Sequence, residues 1–557
     1  MSFNSYEFVF VFLPVSVAGF WYLRDRTGES AAILWLVLAS LVFYVMADAR
    51  GIIAVLPMLV ATYALARLIL SPAPALHRLK GAVLAVGVVL NVGFLCYFKY
   101  KNFLFEDTQD QQLSIVLPLG ISFLTFQNIA FLADVASGQI RSLKASEYVL
   151  FLLFFPKVVA GPIAHYNDVI PQFRSARGLN SEHLIVGIFL FSIGLFKKTV
   201  IADQLVPLVD AEFNRPPWLS ERPHTFISAW VGALAYTFQL YFDFSGYSDM
   251  ALGVARMLGI KLPVNFNSPL RSGSIVEFWN RWHISLTSFL TDYIYTPLLI
   301  RITRFRVRHG MSVLRGRYSP VAAVFSQIAV PTMATMLISG IWHGVGWQFV
   351  IWGALHGLYL TINQVWKLVR PKSWPDGAGY EHVMRPVGVA LTFGAVVIGL
   401  VFFRAPSVDV ALGVLAGMAG LNGVLPYDLQ LLRGLGFPLS WADVQVWQPL
   451  TPVICVVALT FVVLVLPNSL ELVKRYEPAL GFSSEESPYP LLEKAASGRL
   501  KSSSRSNAVM MSVSERLAMV VRNGLMIGRM LGIVIALLFA FGLAAVTEQS
   551  GFIYGQF

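Results

Sequence analysis

The sequence predicts an all-α polytopic membrane protein, and three observations carry that expectation. Hydrophobic residues fill 56% of the 557 positions. Charged residues fill only 13%, about half the share usual in soluble domains. The apolar runs are helix-length rather than short and alternating, which favours a helical bundle over a β-barrel. The net charge of +11 does not point to nucleic acid. The basic residues fall in short stretches between apolar runs, where they set topology and meet anionic lipid head groups.

The elements follow in order. The N-terminus has no basic region and no small-residue cleavage site before the apolar run Phe8 to Leu23, so a first membrane helix is expected, not a removed signal peptide. Segments 7–23, 31–48, 51–70 and 81–100 are evenly apolar. Segments 113–135 and 147–164 are broken by Pro118, Gly120, Pro156, Gly161 and Pro162. Segments 182–209, 225–258, 277–300, 321–341, 345–368, 383–403, 450–467 and 525–546 complete the set. At roughly 20 residues per crossing this gives about 11 to 14 membrane helices, some of them broken or re-entrant. Residues 1–475 are expected to form the membrane core, 476–523 a polar Ser-rich loop or amphipathic segment on the cytoplasmic side, and 524–557 the last membrane helix and tail. Arg301, Arg304, Arg306, Arg308, Arg315 and Arg317 read as one short cytoplasmic loop. Topology explains that cluster; contact with a nucleotide or coenzyme A is the alternative. Residues near 77–80 and 367–372 mark further cytoplasmic ends. Cys96 and Cys455 each lie in an apolar run and imply neither a disulfide nor a metal site.

Three clusters are polar within apolar surroundings. In the first, Tyr236 to Asp249 followed by Arg256, Asp243 and Asp249 interrupt an aromatic run. Asp249 and Arg256 are two helical turns apart, and an internal ion pair or hydrogen-bond network is their plainer reading. In the second, Glu277 to Asp292, the residues Asn280, Arg281 and His283 enter a membrane-like segment bracketed by Trp279 and Trp282. An interfacial tryptophan belt with a snorkelling arginine accounts for Trp and Arg, but not for a histidine followed by an apolar run. The third is Trp342-His343-Gly344, with Gly340 and Gly346 nearby. An ionisable group inside an apolar run is by default a functional candidate, and histidine moves protons near neutral pH. The alternative is a histidine that hydrogen-bonds across a tight helix contact. His356, thirteen residues on, reads as a packing or hydrogen-bonding histidine. No Gly-x-Ser-x-Gly elbow, His-Glu-x-x-His zinc motif, phosphate loop or dinucleotide fingerprint occurs, and no resident cofactor or metal is expected.

Taken jointly, Phe278-Trp-Asn-Arg-Trp-His-Ile-Ser-Leu286, Tyr241-Phe-Asp-Phe-Ser-Gly-Tyr-Ser-Asp249, Ile341-Trp-His-Gly344, Phe155-Pro-Lys-Val-Val-Ala-Gly-Pro-Ile163 and Gly551-Phe-Ile-Tyr-Gly-Gln-Phe557 resemble the membrane-bound O-acyltransferases. The resemblance is strongest to the bacterial branch of AlgI-like alginate O-acetylation proteins and DltB-like teichoic-acid D-alanylation proteins. It runs from Phe3 to Phe557 and leaves 476–523 unmatched. It implies a helical bundle around a central tunnel in a bacterial inner membrane. It implies a cytoplasmic thioester donor, acetyl-CoA, an acetylated exopolysaccharide such as alginate, and a separate periplasmic SGNH-type acetyltransferase partner. It makes His343 the catalytic base and puts His283 in the same tunnel. Asp243, Asn280, Arg281, Trp279, Trp282 and Trp342 would support or line that tunnel. A transporter using buried His and Asp as a proton relay is the competing class, but no two-half repeat is evident.

Overall fold

The computed structural model describes residues 1–73, 78–104, 117–175, 180–215, 223–315, 319–370, 378–424, 444–482 and 528–546. The Ser-rich stretch after 482, Arg317 and the motif Gly551 to Phe557 lie outside the described residues. Among the described residues every regular element is helical. In chain order the main helices are α1 (Leu13–Arg26), α2 (Glu29–Ala47), α3 (Ala49–Ile69), α4 (Lys80–Leu104), α5 (Ile121–Ala136), α6 (Ala145–Leu153), α7 (Tyr166–Ser175) and α8 (Ser181–Phe196). There follow α9 (Phe226–Met257), α10 (Ile275–Trp279), α11 (Ile284–Leu290), α12 (Thr296–Arg308), α13 (Val330–His343), α14 (Trp347–Val369), α15 (Ala378–Arg404), α16 (Val408–Met418), α17 (Val444–Val465) and α18 (Gly528–Ala544). Among the described residues, seven helical stretches are long and apolar enough to cross a membrane: Phe8–Arg26, Glu29–Ala47, Ala49–Ile69, Lys80–Tyr100, Ser181–Phe213, Val321–His343 and Val383–Arg404. The chain is an all-α multi-pass membrane protein.

The chain forms two compact units. One comprises Met1–Val200, Phe244–Asn265 and Asn468–Gln556; the other comprises Ile201–Asp243 and Phe266–Pro467. The first is cored by aromatic rings. Phe3 stacks on Tyr247 at 4.9 Å between centroids, and Phe12 meets Phe155 edge-on at 5.2 Å. In the same unit α8 lies against the second half of α9 with almost no side chain between them. A Cβ on Gly194 would sit 2.5 Å from the Gly246 carbonyl oxygen, and one on Gly246 would sit 2.7 Å from that of Gly194. Small residues at such a crossing let backbones pack directly, which is how membrane helices associate where lipid removes the hydrophobic drive. Lys197 Nζ lies 2.6 Å from Asp249 Oδ2, and the Ser469 hydroxyl donates to the same oxygen at 2.7 Å. Arg256 instead pairs with Glu182 at 3.4 Å and donates to the Tyr476 carbonyl at 3.1 Å. Asp249 and Arg256 each have their own partners rather than the other.

The second unit is held by charged clasps and close backbone contact. Glu212 accepts from Arg215 at 2.8 Å and faces His224 Nδ1 at 2.7 Å, and Arg404 donates to Asp210 at 2.8 Å. Three sequence readings change on inspection. The span 277–300 is not one helix: α10 ends at Trp279, α11 starts at Ile284, and a π-helical turn at Thr291–Tyr295 precedes α12. The span 147–164 is helical only to Leu153, because Pro156, Gly161 and Pro162 follow at once. Four of the six arginines are not in a loop; Arg315 lies in the non-helical stretch that follows. Arg301, Arg304, Arg306 and Arg308 lie on α12, an amphipathic helix, and only Arg306 is buried, donating to the Ser312 carbonyl at 2.7 Å. Recurrence every two to four residues reads equally well as loop or helix face.

Candidate active site

The geometry around His343 begins with the α13–α14 hairpin. Gly340 and Gly353 bring the two backbones together: a Cβ on Gly353 would meet the Met336 carbonyl oxygen at 2.5 Å, and one on Gly340 would collide with that of Phe349. The turn between the helices is Gly344 to Gly346. Gly346 has φ of 139°, a conformation that excludes ordinary side chains, and a Cβ on Gly344 would run into the Phe349 ring. His343 is therefore the last residue of α13, at a break that only glycines permit. It is 4% exposed. Trp342 lies 4.5 Å away between ring centroids, and Trp352 and Phe403 meet it edge-on at 5.0 and 4.9 Å.

The second histidine also sits at a break. His283 precedes α11 with φ of 43°, one of three non-glycine residues with positive φ among the described residues. It is fully buried, and its carbonyl accepts the first bond of α11 from Thr287 at 3.0 Å. A non-glycine residue held in the left-handed region is a marker of a constrained, often functional, position. Its ring stacks with Phe266 at 6.4 Å.

An unbroken run of ring contacts joins the two histidines. From His343 it passes to Trp352, to Trp279 at 5.9 Å, to Phe278 at 5.7 Å, to Trp282 at 5.6 Å, to Phe266 at 5.1 Å and to His283. His356 belongs to the same network, 4.8 Å from Trp352 and 5.3 Å from Trp279. Trp352 and His356 are four residues apart on α14 and so share a face. The Nε1 atoms of Trp279 and Trp352 and Nδ1 of His356 are buried without a hydrogen-bond partner among the described residues. Buried donors are nearly always satisfied, so such atoms mark a place for a ligand or water. His356 packs as the sequence suggests, yet its Nδ1 makes no hydrogen bond there.

The other candidates divide. Trp279, Trp282 and Trp342 are in the ring network, and Asp243 is fully buried on α9. Arg281 is engaged structurally: it pairs with Glu277 at 2.9 Å and donates to the Asn267 carbonyl at 3.3 Å. Asn280 caps the end of α10 and is exposed, in contrast to its neighbours. Trp352, Phe403 and Phe266 were not singled out from sequence. The i, i+4 pair Trp352 and His356 was the available signal; Phe403 and Phe266 are ordinary apolar residues that only the fold brings to the histidines.

The model of the MBOAT, or membrane-bound O-acyltransferase, family matches residues 39–314 and 318–402, and the chain belongs to that family. It is 37% identical over 458 residues to a peptidoglycan O-acetyltransferase of Helicobacter pylori, covering 76% of this chain and 80% of that one. It is 36% identical over 432 residues to a probable alginate O-acetylase AlgI of Azotobacter vinelandii, covering 75% and 78%. A teichoic acid D-alanyltransferase of Streptococcus thermophilus is 28% identical over 316 residues, covering 54% and 71%. The protein is a membrane-embedded acyltransferase.

Proposed function

We propose that the enzyme takes an acetyl group from acetyl-CoA on the cytoplasmic side of a bacterial inner membrane and directs it to hydroxyls of an extracytoplasmic polysaccharide, with His343 as general base. The observation that carries this is the place of His343: buried, at a glycine-enforced helix break, among aromatic rings. The names of the relatives support acetyl as the group and a cell-envelope or secreted polymer, alginate or peptidoglycan, as the acceptor. In the step, an acceptor hydroxyl oxygen bonds to the thioester carbonyl carbon as His343 takes the hydroxyl proton. The carbon–sulfur bond then breaks and the proton passes to the coenzyme A thiolate. General-base help of this kind is worth about 10²–10⁴-fold. The unpartnered indole N–H groups of Trp279 and Trp352 suit stabilisation of the developing oxyanion, at about 3–4 kcal/mol per donor. His283 and Asp243 would orient the acceptor or a histidine tautomer. A separate periplasmic SGNH-type acetyltransferase would complete delivery to the polymer.

The test is the acetyl-ester content of secreted polysaccharide and of peptidoglycan in a deletion strain carrying wild type or His343→Ala. Ester lost in the deletion and restored only by wild type supports the reading, and the fraction that changes names the acceptor. Full acetylation by His343→Ala, at normal expression, sinks the assignment of the base.

A further inference from the structure

Within the first unit lies an open cavity of about 390 Å³ lined among others by Glu182, His183, Arg256, Lys261, Arg475 and Glu477. The volume is in the range of small-ligand sites. Its charge does not cancel. Arg256 pairs with Glu182, and Lys261 with Glu477 at 2.9 Å. Arg475, exposed on the wall, has no partner among the described residues. Two buried nitrogens also lack partners there: Nε of Arg256, a residue only 3% exposed, and Nδ1 of His183. The space is kept open at Gly259, whose φ of 74° bars a side chain and where a Cβ would come within 3.5 Å of that His183 nitrogen. Glu182 and His183 sit in the first turn of α8, whose amide groups add positive potential.

The side of the membrane can be read from the same unit. Arg24, near the end of α1, donates to the carbonyls of Phe173 and Arg174, and the Trp21 indole donates to Met257. The cavity therefore lies at the end of the unit where α1 turns into α2. Two further crossings return α3 to that end, which carries Arg24, Arg26, Arg67, Lys144, Arg174 and Lys261. The opposite end has Arg50 in the turn between α2 and α3 and Lys99 near the end of α4. The positive-inside rule makes the cavity end cytoplasmic.

We propose that this cavity binds the phosphate groups of a phosphate ester reaching the protein from the cytoplasmic side. An unpaired cation, spare buried N–H donors and a helix N-terminus are what a phosphate dianion needs, and neither an apolar ligand nor a cation would use them. Assigning those phosphates to the coenzyme end of the acyl donor rests on the acetyl-CoA reading above; the alternative source is an anionic lipid headgroup of the inner leaflet. The test uses the full-length protein in detergent, titrated with 3′,5′-ADP, and compares wild type with Arg475→Gln and Lys261→Gln. Thermal melting of each variant establishes that it is folded. Binding that weakens about tenfold or more in Arg475→Gln, as loss of one charge-assisted bond implies, weakens less in Lys261→Gln, because the Lys261 ammonium is already paired with Glu477, and fades with salt, supports the site. Displacement of the probe by coenzyme A assigns the site to the donor. Probe binding suppressed in phosphatidylglycerol nanodiscs but kept in phosphatidylcholine ones assigns it to lipid. Equal binding by wild type and both folded variants, or no binding in detergent and in either nanodisc, overturns the proposal. It would do so without touching the role of His343, which the acetyl-ester assay reads separately.

Discussion

His283 holds a backbone conformation that costs an ordinary residue about 1–2 kcal/mol, and asparagine bears it better than most. This separates a turn-forming role from a chemical one. His283→Asn is expected to melt within a few degrees of wild type yet to lose about 10²-fold or more of acetylation, as removal of a positioned polar group does. Normal acetylation by that variant would reduce His283 to a turn residue. The buried pair Lys197 and Asp249 makes the opposite case, structure without chemistry. Removing one partner strands a charge, so Lys197→Met should cost about 3–5 kcal/mol, whereas Lys197→Met with Asp249→Leu should regain much of it. Melting temperatures of the single and double variants in detergent decide this; equal loss in both would mean the pair is not what holds Asp249.

At the scale of elements, the α13–α14 hairpin positions His343 through backbone contact. Gly353→Leu would force the helices apart, costing about 1–3 kcal/mol or more from overpacking, and should cut acetylation although the side chain is not in the ring network. Purified yield and acetyl-ester content measure the two effects; an unchanged enzyme would show that the hairpin yields. This element was legible in the sequence because glycines spaced around a histidine inside an apolar run have few other meanings. The break at Asn280 to His283 was legible only as polarity within an apolar run. No glycine or proline stands there, so nothing local announced that His283 would take a positive φ. The arginine run Arg301 to Arg308 misled for a related reason: dense positive charge reads as a loop, but the intervening Ile302, Phe305 and Val307 give it the faces of a helix.

For the molecule as a whole, membrane residence and helical class followed from composition and segment length, which are properties of the entire chain. The division into two units did not, because α9 runs through the boundary at Asp243 without a break and the units are assembled from non-contiguous stretches. The same holds for the site: His343 and His283 were visible as outliers, whereas Phe403 and Phe266 are apolar residues whose sequence gives no hint of which ring they will face. Orientation remains a whole-chain property, and it has a direct check. In a variant lacking Cys96 and Cys455, a cysteine at Arg308 should be blocked only by a membrane-permeant maleimide in intact cells, and labelling by an impermeant reagent would invert the assigned topology. The glycine contact between α13 and α14 has a consequence over longer times. A residue whose place is fixed by main chain against main chain does not shift when the side chains around it drift. Side chains around the site can therefore be exchanged, and its shape altered, while His343 stays where it is.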